Sequence, residues 1–181
     1  MGKRIAIIQG HPSLQRTHLG HALADAYDQG AVAAGHEVRR IEVAQLDFPL
    51  LRSAEEWKSG PRPAGLRGAQ AALEWADHLV LIFPLWNGTM PALCKGFFEQ
   101  IARPGIAFAG KSARVVVTMG MPALLFRWSF HSQGVRSLQR SLLGFSGIKP
   151  VRATHIGSVE ATSFQAEPWL AKLRALGQSG T

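Results

Sequence analysis

The sequence predicts an α/β protein whose chain winds a five-stranded parallel sheet with helices on both faces. Three observations carry that expectation. Residues 4–9 (RIAIIQ), 78–83 (HLVLIF) and 113–118 (ARVVVT) are short, nearly continuous apolar runs, the pattern of strands buried on both faces of a parallel sheet. Between the runs, apolar residues recur at helical spacing. Each run also stops at a turn, at Gly10-His11-Pro12-Ser13, at Pro84 and at Met119-Gly120-Met121-Pro122.

After the first run comes a helix from Leu19, with Ala22, Leu23, Ala26 and Tyr27 on its inner side, Thr17 as its expected N-cap and Gly35 as its end. Residues 37–43 alternate Val38, Ile41 and Val43 with charged side chains, which suits a strand nearer the sheet edge. Residues 46–66 hold three prolines and two glycines without a period, so a long surface excursion is expected there, functional or mobile. A second helix over 66–76 leads to the strand at 78–83. A third begins at Pro91, in the first helical position, and buries Leu93, Cys94, Phe97, Phe98 and Ile101. Beyond Arg103-Pro104-Gly105 follow the strand at 113–118 and a helix within 126–143. A weaker strand over 150–157 and a last helix over 163–176, carrying Trp169, Leu170, Leu173 and Leu176, complete the alternation.

Composition narrows the class. The chain of 181 residues is expected to form one domain, 1–181, with a single sizeable core. Its 46% apolar and 18% charged residues are those of a globular protein and exclude disorder. Without an apolar run long enough to span a bilayer, and with Met1-Gly2-Lys3-Arg4 leading straight into a strand, a soluble cytoplasmic protein without membrane insertion is expected. Cys94, the single cysteine, permits no internal disulfide and reads as a small buried hydrophobe. The formal charge of +8 suits nucleic acid, an anionic membrane or acidic small molecules. Because the basic residues, Arg39, Arg40, Arg62, Arg67 and Arg114 among them, form no stripe, nucleic acid is not an expected partner. Generic solubility or attraction for phosphorylated cofactors is the better reading.

In strand order 2-1-3-4-5 the loops after strands one, three and four, at 10–18, 84–91 and 118–131, meet at one edge of the sheet. The first loop has neither the G-x-G-x-x-G fingerprint nor a Walker pattern. It places Ser13, Gln15, Thr17 and His18 just ahead of a helix N-terminus, where free N–H groups and the macrodipole favour a phosphate. The alternative is that Thr17 only caps its helix and that His11 and His18 are surface residues. The second loop supplies a flat side chain in Trp86, an amide in Asn87 and, at Gly88, a place where backbone can approach a ring. A tryptophan in such a position is more often a packing residue than a cofactor contact. The third adds a Thr118-Met119-Gly120 turn whose backbone donors can face the same ring.

These segments together resemble a known family. His11-Pro12 after the first strand, F-P-L-W leading into M-P-A-L-C-K-G-F-F-E-Q, Pro104-Gly105-Ile106-Ala107-Phe108 and the Thr118-Met119-Gly120 turn are similar, in order and over nearly the whole chain, to the flavodoxin-fold NAD(P)H dehydrogenase (quinone) family. That family takes in quinone reductases, modulator-of-drug-activity-like enzymes and ancillary flavoproteins of potassium-efflux systems. The resemblance implies a flavodoxin-like sheet, a bound FMN or FAD, NAD(P)H as hydride donor and a quinone or similar small electrophile as electron acceptor. It sets the flavin phosphate region on His11, Thr17, His18 and Leu19. It sets the isoalloxazine ring between Pro84, Leu85, Trp86 and Asn87 on one side and Thr118, Met119 and Gly120 on the other.

The resemblance also implies a homodimer whose site the neighbouring subunit completes; Trp57, Leu124, Leu125, Phe126 and Trp128 are apolar enough for such an interface, the alternative being that they cover the protein's own core. A second function stays open, an ancillary flavoprotein that docks on a membrane transporter and turns over little. Two departures stand out. Many relatives carry aromatic residues where Asn87 and Gly88 stand, which implies a smaller, more polar substrate shelf. Quinone reductases also use a tyrosine and a histidine after the third loop. Here Tyr27, the single tyrosine, lies on the first helix, which leaves His131 as the candidate catalytic residue.

Overall fold

Alternation within each strand sends successive side chains to opposite faces, and both faces are covered among the described residues, 2–103, 108–124 and 147–181 of a computed structural model. The strands are β1 (Arg4–Gln9), β2 (Glu37–Glu42), β3 (His78–Pro84), β4 (Ser112–Thr118) and β5 (Val151–Ile156). All pairings are parallel, in the order β2-β1-β3-β4-β5 that the sequence predicts. The described helices of regular α type are α1 (Leu19–Ala33), α2 (Ala54–Ser59), α3 (Arg67–Trp75), α4 (Ala92–Ile101) and α5 (Glu167–Ser179). Ile5, Ile7, Val80, Ile82 and Val116 pack against Leu23 and Tyr27 of α1 and Leu173 of α5. On the other face Ala6, Ile8, Leu81, Phe83, Val115 and Val117 pack with Leu73 of α3 and Cys94 and Phe97 of α4. Each Val, Leu, Ile or Phe side chain taken fully out of water in this way contributes roughly 1.5–3 kcal/mol.

Several boundaries differ from the sequence reading. Thr17 is not the N-cap of α1: His18 holds that position in extended backbone, φ −74° and ψ 136°, and no side chain caps the helix. The His18 ring stacks on His11 at 4.0 Å, which anchors the chain one residue further along. Val43 leaves the edge strand and opens a 3-10 turn, Val43–Gln45. Pro91 stands just outside α4 with ψ 146°, where its missing N–H is equally harmless. The last helix starts at Glu167, with Pro168 in its first turn, so residues 163–166 belong to the preceding loop. Arg114, counted above among scattered cations, is buried in β4 and donates to the Thr181 carbonyl (2.7 Å) and to Thr154 Oγ1 (2.9 Å). The helix expected within 126–143 and residues 104–107 fall outside the described residues.

The excursion at 46–66 is held by two buried side chains, Gln100 in the last turn of α4 and Arg103 just beyond it. It contains α2, capped by Ser53, whose hydroxyl accepts from the Glu56 N–H at 3.0 Å. The S-x-x-E spacing of Ser53 and Glu56 was a legible helix start. Yet α2 buries no residue of its own. Arg103, 4% exposed, donates to the carbonyls of Glu56, Trp57, Gly60 and Pro61, so its guanidinium closes the C-terminal end of α2. Gln100 adds a bond from Nε2 to the Pro49 carbonyl at 2.8 Å. Arg103→Met strands those carbonyls and is expected to lower the unfolding free energy by about 2–3 kcal/mol. Limited proteolysis should then cut first within 46–66.

At the opposite end of the sheet His78 opens β3, with Nδ1 2.7 Å from Ser112 Oγ. Burial, reinforced by the cations Lys3, Arg114 and Arg152, holds its imidazole down at about 4. A depressed folded-state value means that the unfolded chain binds this proton first. The stability due to neutral His78 is therefore complete above about pH 6.5 and lost as pH falls through about 4. Urea unfolding between pH 7 and 4.5 should show that loss in the wild type and a flatter limb in His78→Gln.

Candidate functional site

The site lies at the C-terminal ends of β1, β3 and β4, where the chain after β1 turns towards β2 and the chain after β3 turns the other way. Such divergence opens a crevice in a doubly wound sheet. The first wall is built by histidines. Gln9, fully buried at the end of β1, accepts the His11 N–H on Oε1 at 3.1 Å, while its Nε2 has no partner among the described residues. The Ser13 N–H donates to His11 Nδ1 at 3.0 Å, which leaves the ring proton on Nε2. The His11 ring stacks on His18, with centroids 4.0 Å apart and planes at 22°. Burial first, and then the neighbouring His18, lower the pKa of His11, favouring a neutral ring.

Thr17 is exposed, and His18 and Leu19 are half-buried at the start of α1. Loop and first turn together, residues 10–21, contain no carboxylate. The free N–H groups of the helix start, the imidazoles and the hydroxyls of Ser13 and Thr17 form a donor-rich set.

The second wall is a hairpin. The Trp86 N–H donates to the Thr89 carbonyl at 2.9 Å and the Thr89 N–H to the Trp86 carbonyl at 3.0 Å. Between them Asn87 and Gly88 have positive φ, 48° and 80°. Left-handed backbone at both central residues defines a type I′ turn, for which Asn-Gly is the preferred pair. The Asn-Gly dipeptide was a legible hairpin signal, and it is the reason these two positions carry no aromatic. The hairpin leaves Trp86 half exposed, with its ring centroid 6.3 Å from that of His11 and its plane nearly perpendicular, so the first and second walls adjoin.

Pro84 closes β3 opposite Thr118, and Leu85 extends the ladder by donating to the Thr118 carbonyl at 2.7 Å. Both side chains are half-buried. Thr118 and Met119 are buried, and the Met119 N–H is spent on the Ile156 carbonyl at 2.9 Å, so Met119 faces the core rather than the crevice. Gly120 is exposed. His131 lies outside the described residues.

Two contributors were missed in the sequence. His21, buried in the first turn of α1, has Nε2 3.0 Å from the Ser13 carbonyl and its ring 5.8 Å from His11. The three-residue spacing of His18 and His21 on one helix face was its only signal. The loop after β5 also folds across the third loop: the Ser158 N–H donates to the Met121 carbonyl at 3.0 Å, and Ser158 has a left-handed φ of 57°. The Glu160 carboxylate thereby comes within 3.0–3.2 Å of the point where a Cβ on Gly120 would lie. Nothing local in the sequence announces that contact.

Fold and crevice define a doubly wound protein whose ligand edge lies at the strand ends. Residues 3–178 match the family described as having a flavodoxin-like fold, and the chain belongs to that family. Among curated proteins it is 27% identical over 155 residues to the ribosyldihydronicotinamide dehydrogenase-like protein traD of Penicillium crustosum, covering 65% of this chain and 57% of that one. It is 31% identical over 102 residues to the FMN-dependent NADH:quinone oxidoreductase 1 of Bacillus subtilis, covering 51% and 49%. The chain thus spans about half the length of these curated relatives. Among solved structures, an NAD(P)H:quinone oxidoreductase from Methanothermobacter marburgensis superposes with a TM-score of 0.85 at 23% identity, over 99% of this chain and 96% of that one. At that identity the likeness is one of fold.

The hairpin can be tested alone. A Cβ on Gly88 meets no atom within 4 Å, so Gly88→Ala bears only the cost of left-handed backbone. That cost is about 1–2 kcal/mol of stability by chemical denaturation. Asn87→Gly, which keeps positive φ accessible, should cost less.

Proposed function

We propose that this chain, working as a single domain, binds FMN across the ends of β1, β3 and β4 and passes a hydride from NAD(P)H to a quinone or similar small electrophile. The observation that carries the reading is the adjacency of two unlike walls. A donor-rich helix start free of carboxylates suits a phosphate, and a half-exposed indole whose ring lies 6.3 Å from that of His11 suits a flat heterocycle. The FMN dependence and quinone-reducing activity named for the Bacillus subtilis relative support the choice of cofactor and reaction. FMN itself supplies the redox chemistry.

The chain's own residues bind and orient. His11, Thr17, His18 and Leu19 meet the phosphate end, and Trp86 lies against the ring beside Pro84, Leu85 and Asn87. The N–H groups of Asn87 and Gly88, which take no part in the hairpin's own pair of bonds, remain available as donors. Thr118 and Gly120 form the opposite border, with Met119 packed into the core behind them. A chain carrying a formal charge of +8 attracts the phosphates of NAD(P)H. No described helix is long and apolar enough to cross a membrane, and we place the activity in the cytoplasm, where NAD(P)H is at hand. The exposure of Leu124 (77%) and Trp57 (41%) supports a homodimer as the working form.

Purified protein should be yellow, release FMN on denaturation, bleach anaerobically with NADH or NADPH and sediment with the mass of two chains. Trp86→Ala should weaken FMN binding roughly tenfold, the worth of one aromatic stacking contact. A colourless protein that takes up no added flavin overturns the proposal.

A further inference from the structure

We infer that His21 acts as a positioning residue that sets the phosphate-binding conformation of the loop at 10–18; this rests on the flavin reading above. His21 is 2% exposed and reaches the loop from the first turn of α1. Its Nε2 donates to the Ser13 carbonyl at 3.0 Å, while the Ser13 N–H donates to His11 Nδ1 at 3.0 Å. Both backbone polar groups of Ser13 are therefore clamped by imidazoles, one from the end of β1 and one from α1.

The direction of the clamp matters for an anion. A carbonyl engaged by a buried donor is turned towards the protein interior, so its negative end does not face the mouth of the loop. A phosphate at the helix start then meets N–H groups, hydroxyls and imidazoles without an opposing carbonyl dipole. Freed from His21, the Ser13 peptide can rotate and present that carbonyl to the phosphate.

The far side of the His21 ring faces the edge strand. Its Nδ1 has no hydrogen-bond partner among the described residues and faces Glu42 Oε2 of β2 at 3.9 Å. The other oxygen of Glu42 accepts from Arg40 Nη2 at 2.9 Å, and Arg40 is tied to Asp25 of α1 at 2.5 Å. His18, 6.5 Å away, and His11 are the remaining titratable rings around it. Loop, helix and edge strand thus locate one imidazole whose donor is spent on Ser13.

The test uses the full chain, freed of flavin, titrated with FMN and with riboflavin, which lacks the phosphate. In His21→Gln the amide Nε2 replaces the imidazole Nε2, and the preference for FMN over riboflavin should stay at the wild-type value. In His21→Met and in the shorter His21→Asn, riboflavin affinity should hold while the preference for FMN falls by about tenfold, the worth of one misplaced polar contact. The Gln and Asn pair decides the matter if the Met variant does not fold. An unchanged preference in Asn and Met, or an equal loss of both flavins, overturns the inference and leaves the flavin reading standing. A wild-type protein that binds neither flavin overturns both.

Discussion

The crevice depends on one close approach. The Gly10 N–H donates to the Ile82 carbonyl at 2.7 Å, carrying the pairing of β1 with β3 one residue past the end of β1. A Cβ at Gly10 would lie 2.6 Å from Cys94 Sγ and 3.2 Å from Phe83 Cβ. The first loop, the end of β3 and the body of α4 therefore converge on a point with room for no side chain. Cys94 is the spacer from the helix side, fully buried, its thiol pushed up to about 12 by burial. At that value it is a packing group and not a nucleophile.

From that point outward the loops are ordered by polar groups satisfied at short range. The hairpin at Trp86 closes on its own backbone, and the first loop closes on imidazoles and the buried amide of Gln9. The long excursion closes on Gln100 of α4 and on Arg103 just after it. In each case backbone polar groups of the loop are satisfied, by its own backbone or by side chains packed against it, which is how segments with little apolar surface remain in place. Rigidity of this kind suits a cofactor site, because orienting a planar ring requires walls that do not reorganise when it enters.

The family resemblance and the geometry meet at the second loop. Asn87 and Gly88, where the family resemblance leads one to expect aromatic residues, form the two left-handed residues of a tight hairpin. The departure thus follows from backbone requirements. It sets two turn N–H groups, in place of side-chain surface, beside Trp86.

How far the sequence could be read follows from which forces are local. Strands β1, β3 and β4 were legible because burial on both faces demands unbroken apolar runs; alternation with helices made the sheet parallel and doubly wound, and the resemblance to a flavodoxin-fold family implied its order. The first and second loops were legible as a site because their residue types are unusual and their place is set by strand order. The start of α1 was not: Thr17 is the better capping residue on local grounds, but stacking of His18 on His11 across the loop outweighs it. Nor was the burial of Arg114 and Arg103, whose partners lie dozens of residues away. The sequence by itself determined the parallel sheet, since that depends on periodicity, and through the family resemblance its order and the edge where a ligand would lie. Tertiary structure alone decided which side chains reach that edge, His21 bonded to Ser13 and Glu160 lying beside Gly120, since such placements depend on distances between segments that no local pattern encodes.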